Sequence, residues 1–196
     1  MNFDTRICIW GDSIVYGAYD PEHGGWGIRL RNYLEGKSEG WTQVYNLGIC
    51  GLRTDHLLKS FKTEAALREP DIVIFGIGVN DSKHPKKVSP AAYKKNLAKL
   101  VSHAQKFTKK IAFVGLTRID EKSLEPVQPG ETYHSNAAIE IYDRVLEKFC
   151  AEEGIPYIPT RDLLVPSDYV DGLHPGTKGH QKMFEKILPF VEALIK

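Results

Sequence analysis

No run of apolar residues in this chain is long enough to span a bilayer, and Met1 to Arg6 carry no apolar stretch of the secretory kind. The expectation is a protein that neither inserts in a membrane nor carries a secretory signal. Cysteine is scarce: Cys8, Cys50 and Cys150 are odd in number and lack metal-ligand spacing. That points to reduced thiols in a cytoplasmic setting, with Cys8 and Cys150 as buried hydrophobes and Cys50 in a loop. Excess charge is missing too, since 26 Lys and Arg face 25 Asp and Glu. No basic stripe with interleaved aromatics marks a nucleic-acid surface. The lysines from Lys83 to Lys99 read as a solvated helix face. Two nucleotide and hydrolase signatures are also absent. No Gly-x-Gly-x-x-Gly follows the first strand, which argues against a dinucleotide-binding domain. Val15 stands where a Gly-x-Ser-x-Gly nucleophile elbow needs its second glycine.

What is present is an alternation of apolar runs and helical patterns over 196 residues, a length that suits a single domain, 1–196. Arg6 to Trp10, Gln43 to Leu47, Asp71 to Ile77, Lys110 to Leu116 and Pro156 to Pro159 read as strands. Their near-continuous apolar character is that of a parallel sheet covered on both faces. Helical patterns cover Gly27 to Leu34, Thr54 to Arg68, Ser89 to Phe107, Ser135 to Glu153 and Gly176 to Ile195. Thr54 or Asp55 is the expected cap of the second, Ser89-Pro90 opens the third, and Pro189 should kink or interrupt the last. The alternation predicts an α/β three-layer sandwich, a five-stranded parallel sheet in the flavodoxin-like order 2-1-3-4-5. Ligands then bind beyond the C-terminal ends of strands one and three. The irregular segment Thr117 to His134, broken by Pro126, Pro129 and Gly130, is a candidate pocket wall on that edge.

Each strand end on that edge carries chemistry. Gly11-Asp12-Ser13 follows the first strand, Asn46 to Thr54 the second, and Gly76-Ile77-Gly78-Val79-Asn80-Asp81 the third. Asp171-Gly172-Leu173-His174-Pro175 enters the last helix. Acyl transfer needs such a set: Ser13 as nucleophile, His174 as base, Asp171 to hold the imidazole. The N–H groups of Ser13 and Gly51 and the Asn80 amide are the candidate oxyanion donors. Taken singly, each has a plainer role. Asp12-Ser13 reads as a helix cap, Gly48 as a turn glycine, Asn80-Asp81 as an Asx turn, and His174-Pro175 as a helix start. Asp20, His23, His56, His84, His103, His134 and His180 read as surface or structural. Only the convergence of four segments on one edge favours catalysis.

Those segments resemble the blocks of the SGNH hydrolase superfamily, the GDSL-type esterases and lipases. Gly11-Asp12-Ser13-Ile14 is similar to the Gly-Asp-Ser-Leu block, with isoleucine last. Asn46 to Gly51 resembles the second block, Gly78-Val79-Asn80-Asp81 the third, and Asp171 to Pro175 the fourth. The resemblance covers nearly the whole chain. It implies a Ser13, His174, Asp171 triad, an oxyanion hole of Ser13, Gly51 and Asn80, and neither metal nor organic cofactor. Arg53 departs from the small or acidic residue of many relatives and faces either substrate or solvent.

Two other classes compete. A flavodoxin-like module of this order would bind a small molecule such as flavin. A metal-dependent phosphoesterase would draw on Asp12, Asn80, Asp81, His84, Asp171 and His174. The favoured reading is hydrolysis of small or short-chain carboxylic esters through an acyl-serine. Tyr16, Tyr19, Trp26 and Tyr133 are candidate pocket residues.

Overall fold

The computed structural model describes residues 5–38, 41–85, 88–124 and 131–196. Strands β1 (Thr5–Gly11), β2 (Thr42–Gly48), β3 (Ile72–Gly76), β4 (Ile111–Val114) and β5 (Tyr157–Ile158) pair in parallel in the order β2-β1-β3-β4-β5. This is the expected doubly wound order. Among the described residues the α-helices are α1 (Ser13–Tyr16), α2 (Gly25–Lys37), α3 (Thr54–Arg68), α4 (Pro90–Ala104), α5 (Asn136–Glu153) and α6 (Thr177–Ile195).

Side chains alternate across a strand, and here both alternate sets are apolar. Cys8, Trp10, Val73, Phe75 and Phe113 join Phe61, Leu97 and Phe149 in one cluster. Ile7, Ile9, Ile72, Ile74 and Val114 join Trp26, Leu30, Ile187 and Val191 in the other. Helices α3, α4 and α5 therefore cover one face, α2 and α6 the opposite one. A ladder of rings, Phe61, Trp10, Phe75, Phe113 and Phe149, runs through the first layer with centroid spacings of 4.7 to 6.2 Å.

Register fixes where the chemistry stands. Gly11 pairs with Gly48 on one side and Gly76 on the other, so three neighbouring strands end level, each on a glycine. Helix α1 seats on this bare floor. A Cβ on Gly48 would lie 2.2 Å from the Tyr16 amide nitrogen, and one on Gly11 would lie 2.2 Å from Val15 Cγ2. Gly48 is thus a site of close approach as well as a strand end.

Three local expectations change. Helix α3 is capped at Arg53, not Thr54 or Asp55. The reason is that Asp81, from the loop after β3, accepts from the Thr54 amide (3.1 and 3.2 Å) and the Thr54 hydroxyl (2.5 Å). Pro189 lies inside α6 without interrupting it, the helix running on to Ile195. The short helix α1 has no counterpart among the helical patterns, because four residues carry no periodicity to read. In the segment 117–134, Pro126, Pro129 and Gly130 lie outside the described residues. Among the described residues no helix is long and apolar enough to cross a membrane.

Candidate active site

Asp12 begins the site by ending β1. Its Oδ1 accepts from the Ile14 amide at 2.9 Å, which starts α1 and makes Ser13 the first helical residue. The helix-cap reading of Asp12-Ser13 therefore holds for Asp12, and the cap is what presents Ser13. The Ser13 hydroxyl meets His174 Nε2 at 2.9 Å, and His174 Nδ1 meets Asp171 Oδ2 at 2.7 Å. Asp171 must accept, so Nδ1 carries the proton and Nε2 offers its lone pair to the serine. Asp171 Oδ1 also receives the amides of Leu173 (3.0 Å) and His174 (2.7 Å), so one carboxylate folds the loop and aims the ring. Burial pushes the Asp171 carboxyl up, yet these hydrogen bonds outweigh it and hold it below the usual range.

The oxyanion candidates meet at a second junction. Gly51 has φ of +75°, a left-handed conformation that glycine adopts without strain. Asn80 Nδ2 donates to the Leu52 carbonyl at 3.2 Å, tying the loop after β3 to the residue following Gly51. The Asp81–Thr54 clamp holds the same two loops one residue beyond Asn80 and two beyond Leu52, and Asn96 Nδ2 supports Thr54 Oγ1 at 3.0 Å. Asp81 and Thr54 were not singled out in the sequence as positioning residues. The Asn-Asp pair was the available signal; its aspartate works here through a backbone amide on another loop.

Two carboxyls stay protonated unusually far up the pH scale. Burial pushes Asp12 up to about 7, against its amide hydrogen bond and with help from the Asp81 charge. Burial likewise pushes Asp81 up to about 6 against the Thr54 bonds. Both folded values exceed the ordinary value of about 3.9, so the folded protein holds extra protons between those limits. The stability they confer is complete below the unfolded value and is lost as pH rises through the folded one, at about 1.4 kcal/mol per pH unit per proton. Asp12→Asn keeps the capping oxygen and should flatten the fall in unfolding free energy between about pH 5 and pH 7.5. Urea titrations at several pH values check this; a slope equal to wild type would mean Asp12 titrates at its ordinary value.

The remaining sequence candidates divide. Arg53 is held by Asp55 through two bonds of 3.0 Å and by His56 at 2.8 Å, and lies along the first turn of α3. Trp26 is fully buried. It borders a cavity of about 20 Å³ lined by Asp12, Ile14, Val15, Val114, Thr117 and Met183, room for about one water. Tyr133 pairs its backbone with His84 (2.8 Å each way) and stacks on that imidazole, which ties the described C-terminal end of the 117–134 segment to the loop after β3. Asp120 adds a bond from its amide to the Gly172 carbonyl, 2.8 Å, beside Asp171. Tyr19 lies against His174, ring centroids 5.2 Å apart, while 53% exposed. Its φ of +64° is left-handed, a cost of about 1–3 kcal/mol for a bulky residue.

Of the six residues a metal site would draw on, the Asp12, Asp81, Asp171 and His174 side chains make the bonds described, Asn80 holds Leu52, and the His84 ring stacks on Tyr133. Among the described residues no three His, Cys, Asp or Glu side chains are grouped to hold a metal ion.

The sequence pattern of the GDSL-like Lipase/Acylhydrolase family matches residues 9–182, which take in Ser13, Gly51, Asn80, Asp171 and His174. The chain belongs to that family. This GDSL-like hydrolase is accordingly a carboxylic ester hydrolase. A search of curated protein sequences finds no match. Among solved structures, the GDSL-like hydrolase is similar to the lipase/acylhydrolase from Enterococcus faecalis, with 20% identity, TM-score 0.77, and 96% and 95% of the two chains covered. It is similar to TesA at 23% identity and TM-score 0.77, covering 96% and 99%. It also resembles Axe2, an acetylxylan esterase from Geobacillus stearothermophilus, at 19% identity and TM-score 0.76, covering 95% and 93%. At these identities the likeness carries the fold.

Proposed function

We propose that this GDSL-like hydrolase cleaves small, short-chain acyl esters through an acyl-serine formed on Ser13. The observation that carries the reading is the unbroken chain from Ser13 Oγ through His174 to Asp171, 2.9 and 2.7 Å. Ser13 Oγ bonds to the ester carbonyl carbon while its proton passes to His174 Nε2. The new oxyanion takes hydrogen bonds from the Ser13 and Gly51 amides and from Asn80 Nδ2, whose second hydrogen is not needed by Leu52. Collapse breaks the bond to the leaving oxygen, which takes the proton from His174. Water then attacks the acyl-serine with His174 again as base, and the carboxylic acid leaves with Ser13 restored.

One feature supports a short acyl group. Among the described residues, Tyr16 at the end of α1 and Tyr19, Ile49 and Tyr133 on loops are exposed at the sheet's C-terminal edge, an open rim. A tunnel would gain about 0.8 kcal/mol for each methylene it buried. We expect kcat/KM on p-nitrophenyl esters to fall at least about tenfold from acetate to octanoate. An equal or rising value at octanoate would overturn the short-chain reading. The partner expected is a small-molecule ester. The unpaired thiols of Cys8, Cys50 and Cys150, with Cys50 exposed, support a reducing, cytoplasmic setting.

A further inference from the structure

Tyr19 is a large apolar side chain held where neither backbone preference nor burial would put it. Its φ is +64° and half of it faces solvent. The residues on both sides are anchored. The Ala18 carbonyl accepts from buried His180 Nε2 at 3.3 Å, while His180 Nδ1 accepts the Trp26 amide at 3.4 Å. Asp20 is fully buried and receives Arg29 Nη1, the Thr177 hydroxyl (2.8 Å) and the Gly25 amide (3.1 Å). Burial pushes the Asp20 carboxyl up, but these partners outweigh it and keep it ionised. Thr177 and His180 belong to α6, the helix that follows the His174 loop. The left-handed turn and the imidazole are therefore clipped to one support, and the strain is maintained with the ring tilted 35° to His174.

The side of the site this ring occupies is set by proton transfer. His174 Nε2 returns its proton to the leaving oxygen, so the leaving group sits within hydrogen-bond reach of Nε2. A ring packed beside the imidazole flanks whatever is attached to that oxygen. We propose that Tyr19 is a specificity-determining residue, an aromatic platform for a leaving alcohol that carries a six-membered ring. An exposed aromatic face takes such rings flat, through the π face of an aryl group or the C–H face of a saturated, sugar-like ring. An unbranched alkyl leaving group is too narrow to cover it. This inference rests on the esterase reading given above.

The test compares phenyl acetate, 4-acetoxytetrahydropyran and ethyl acetate on the wild-type protein, Tyr19→Ala, Tyr19→Phe and Tyr19→Trp. The quantity read is kcat/KM for each ring ester divided by that for ethyl acetate. Tyr19→Ala should lower this ratio about tenfold for at least one ring ester, about 1.4 kcal/mol, mainly through KM, while the Phe and Trp variants keep it within about twofold. The two ring esters tell an aryl preference from a sugar-like one. Equal losses on all three esters would make Tyr19 only a support for His174, and the platform would be overturned. A ratio unchanged in Tyr19→Ala overturns it as well. Failure of the wild-type protein on every ester, without acylation of Ser13, would sink the esterase reading and the platform with it.

Discussion

Ser13→Ala should cut turnover of p-nitrophenyl acetate by on the order of 10⁴-fold or more. The same change should abolish labelling by a fluorophosphonate. Stability should move little, because the substitution removes a single hydrogen bond, the 2.9 Å contact to His174, worth about 1 kcal/mol net. The size of the kinetic effect follows from what the hydroxyl does. On the proposed mechanism there is then no acyl-enzyme, and His174 has only water to activate. The proposed oxyanion donors remain in place, so a small residual rate is expected. Wild-type turnover in Ser13→Ala would remove Ser13 as nucleophile.

Gly48→Ala should damage both folding and catalysis although it touches neither the proposed triad nor an oxyanion candidate. The added methyl would sit 2.2 Å from Tyr16 N, 2.6 Å from Tyr16 Cα and 2.8 Å from the Val15 carbonyl carbon. All three are backbone atoms of α1, so no rotamer change relieves the clash. The helix has to lift, and Ser13 lifts with it. Overpacking of this kind costs about 1–3 kcal/mol or more. A displacement of about 1 Å at a reacting group costs on the order of 10² in rate. We expect both, with kcat falling further than the folded fraction explains. Gly36→Ala on α2 is the control, since a Cβ there meets nothing within 4 Å. Full activity and unchanged unfolding free energy in Gly48→Ala would show that α1 does not depend on the bare strand end.

The contrast between Ser13 and Gly48 shows what the sequence exposes. Ser13, Asp171 and His174 were legible because each ends or enters an apolar run, and parallel topology places such ends on one edge. The sheet order was legible for the same reason, since runs like Ile72 to Gly76 are apolar on both faces. The role of Gly48 was not. It depends on Gly11, Gly48 and Gly76 standing level, and register is a property of pairing that no single segment displays. The Thr54 cap failed in a related way, because its acceptor, Asp81, arrives from a loop 27 residues on. Asp20 and His180, both read as surface or structural, hold the turn that carries Tyr19, a purpose their sequence neighbourhoods do not state. Arg53 stood out by type, yet Asp55 two residues later was enough to engage it.

The separation of 161 positions from Ser13 to His174 also sets a clock. A ribosome adding about 5–20 residues per second makes the proposed nucleophile first and the proposed base long afterwards. While the sheet is being laid down, Ser13 is an ordinary hydroxyl with nothing to take its proton. On the proposed triad, activation of the Ser13 hydroxyl arrives only when the Asp171–His174 loop emerges and Thr177 and His180 dock beside the turn after α1. The nucleophile of a growing chain thereby stays unactivated until α6 is in place.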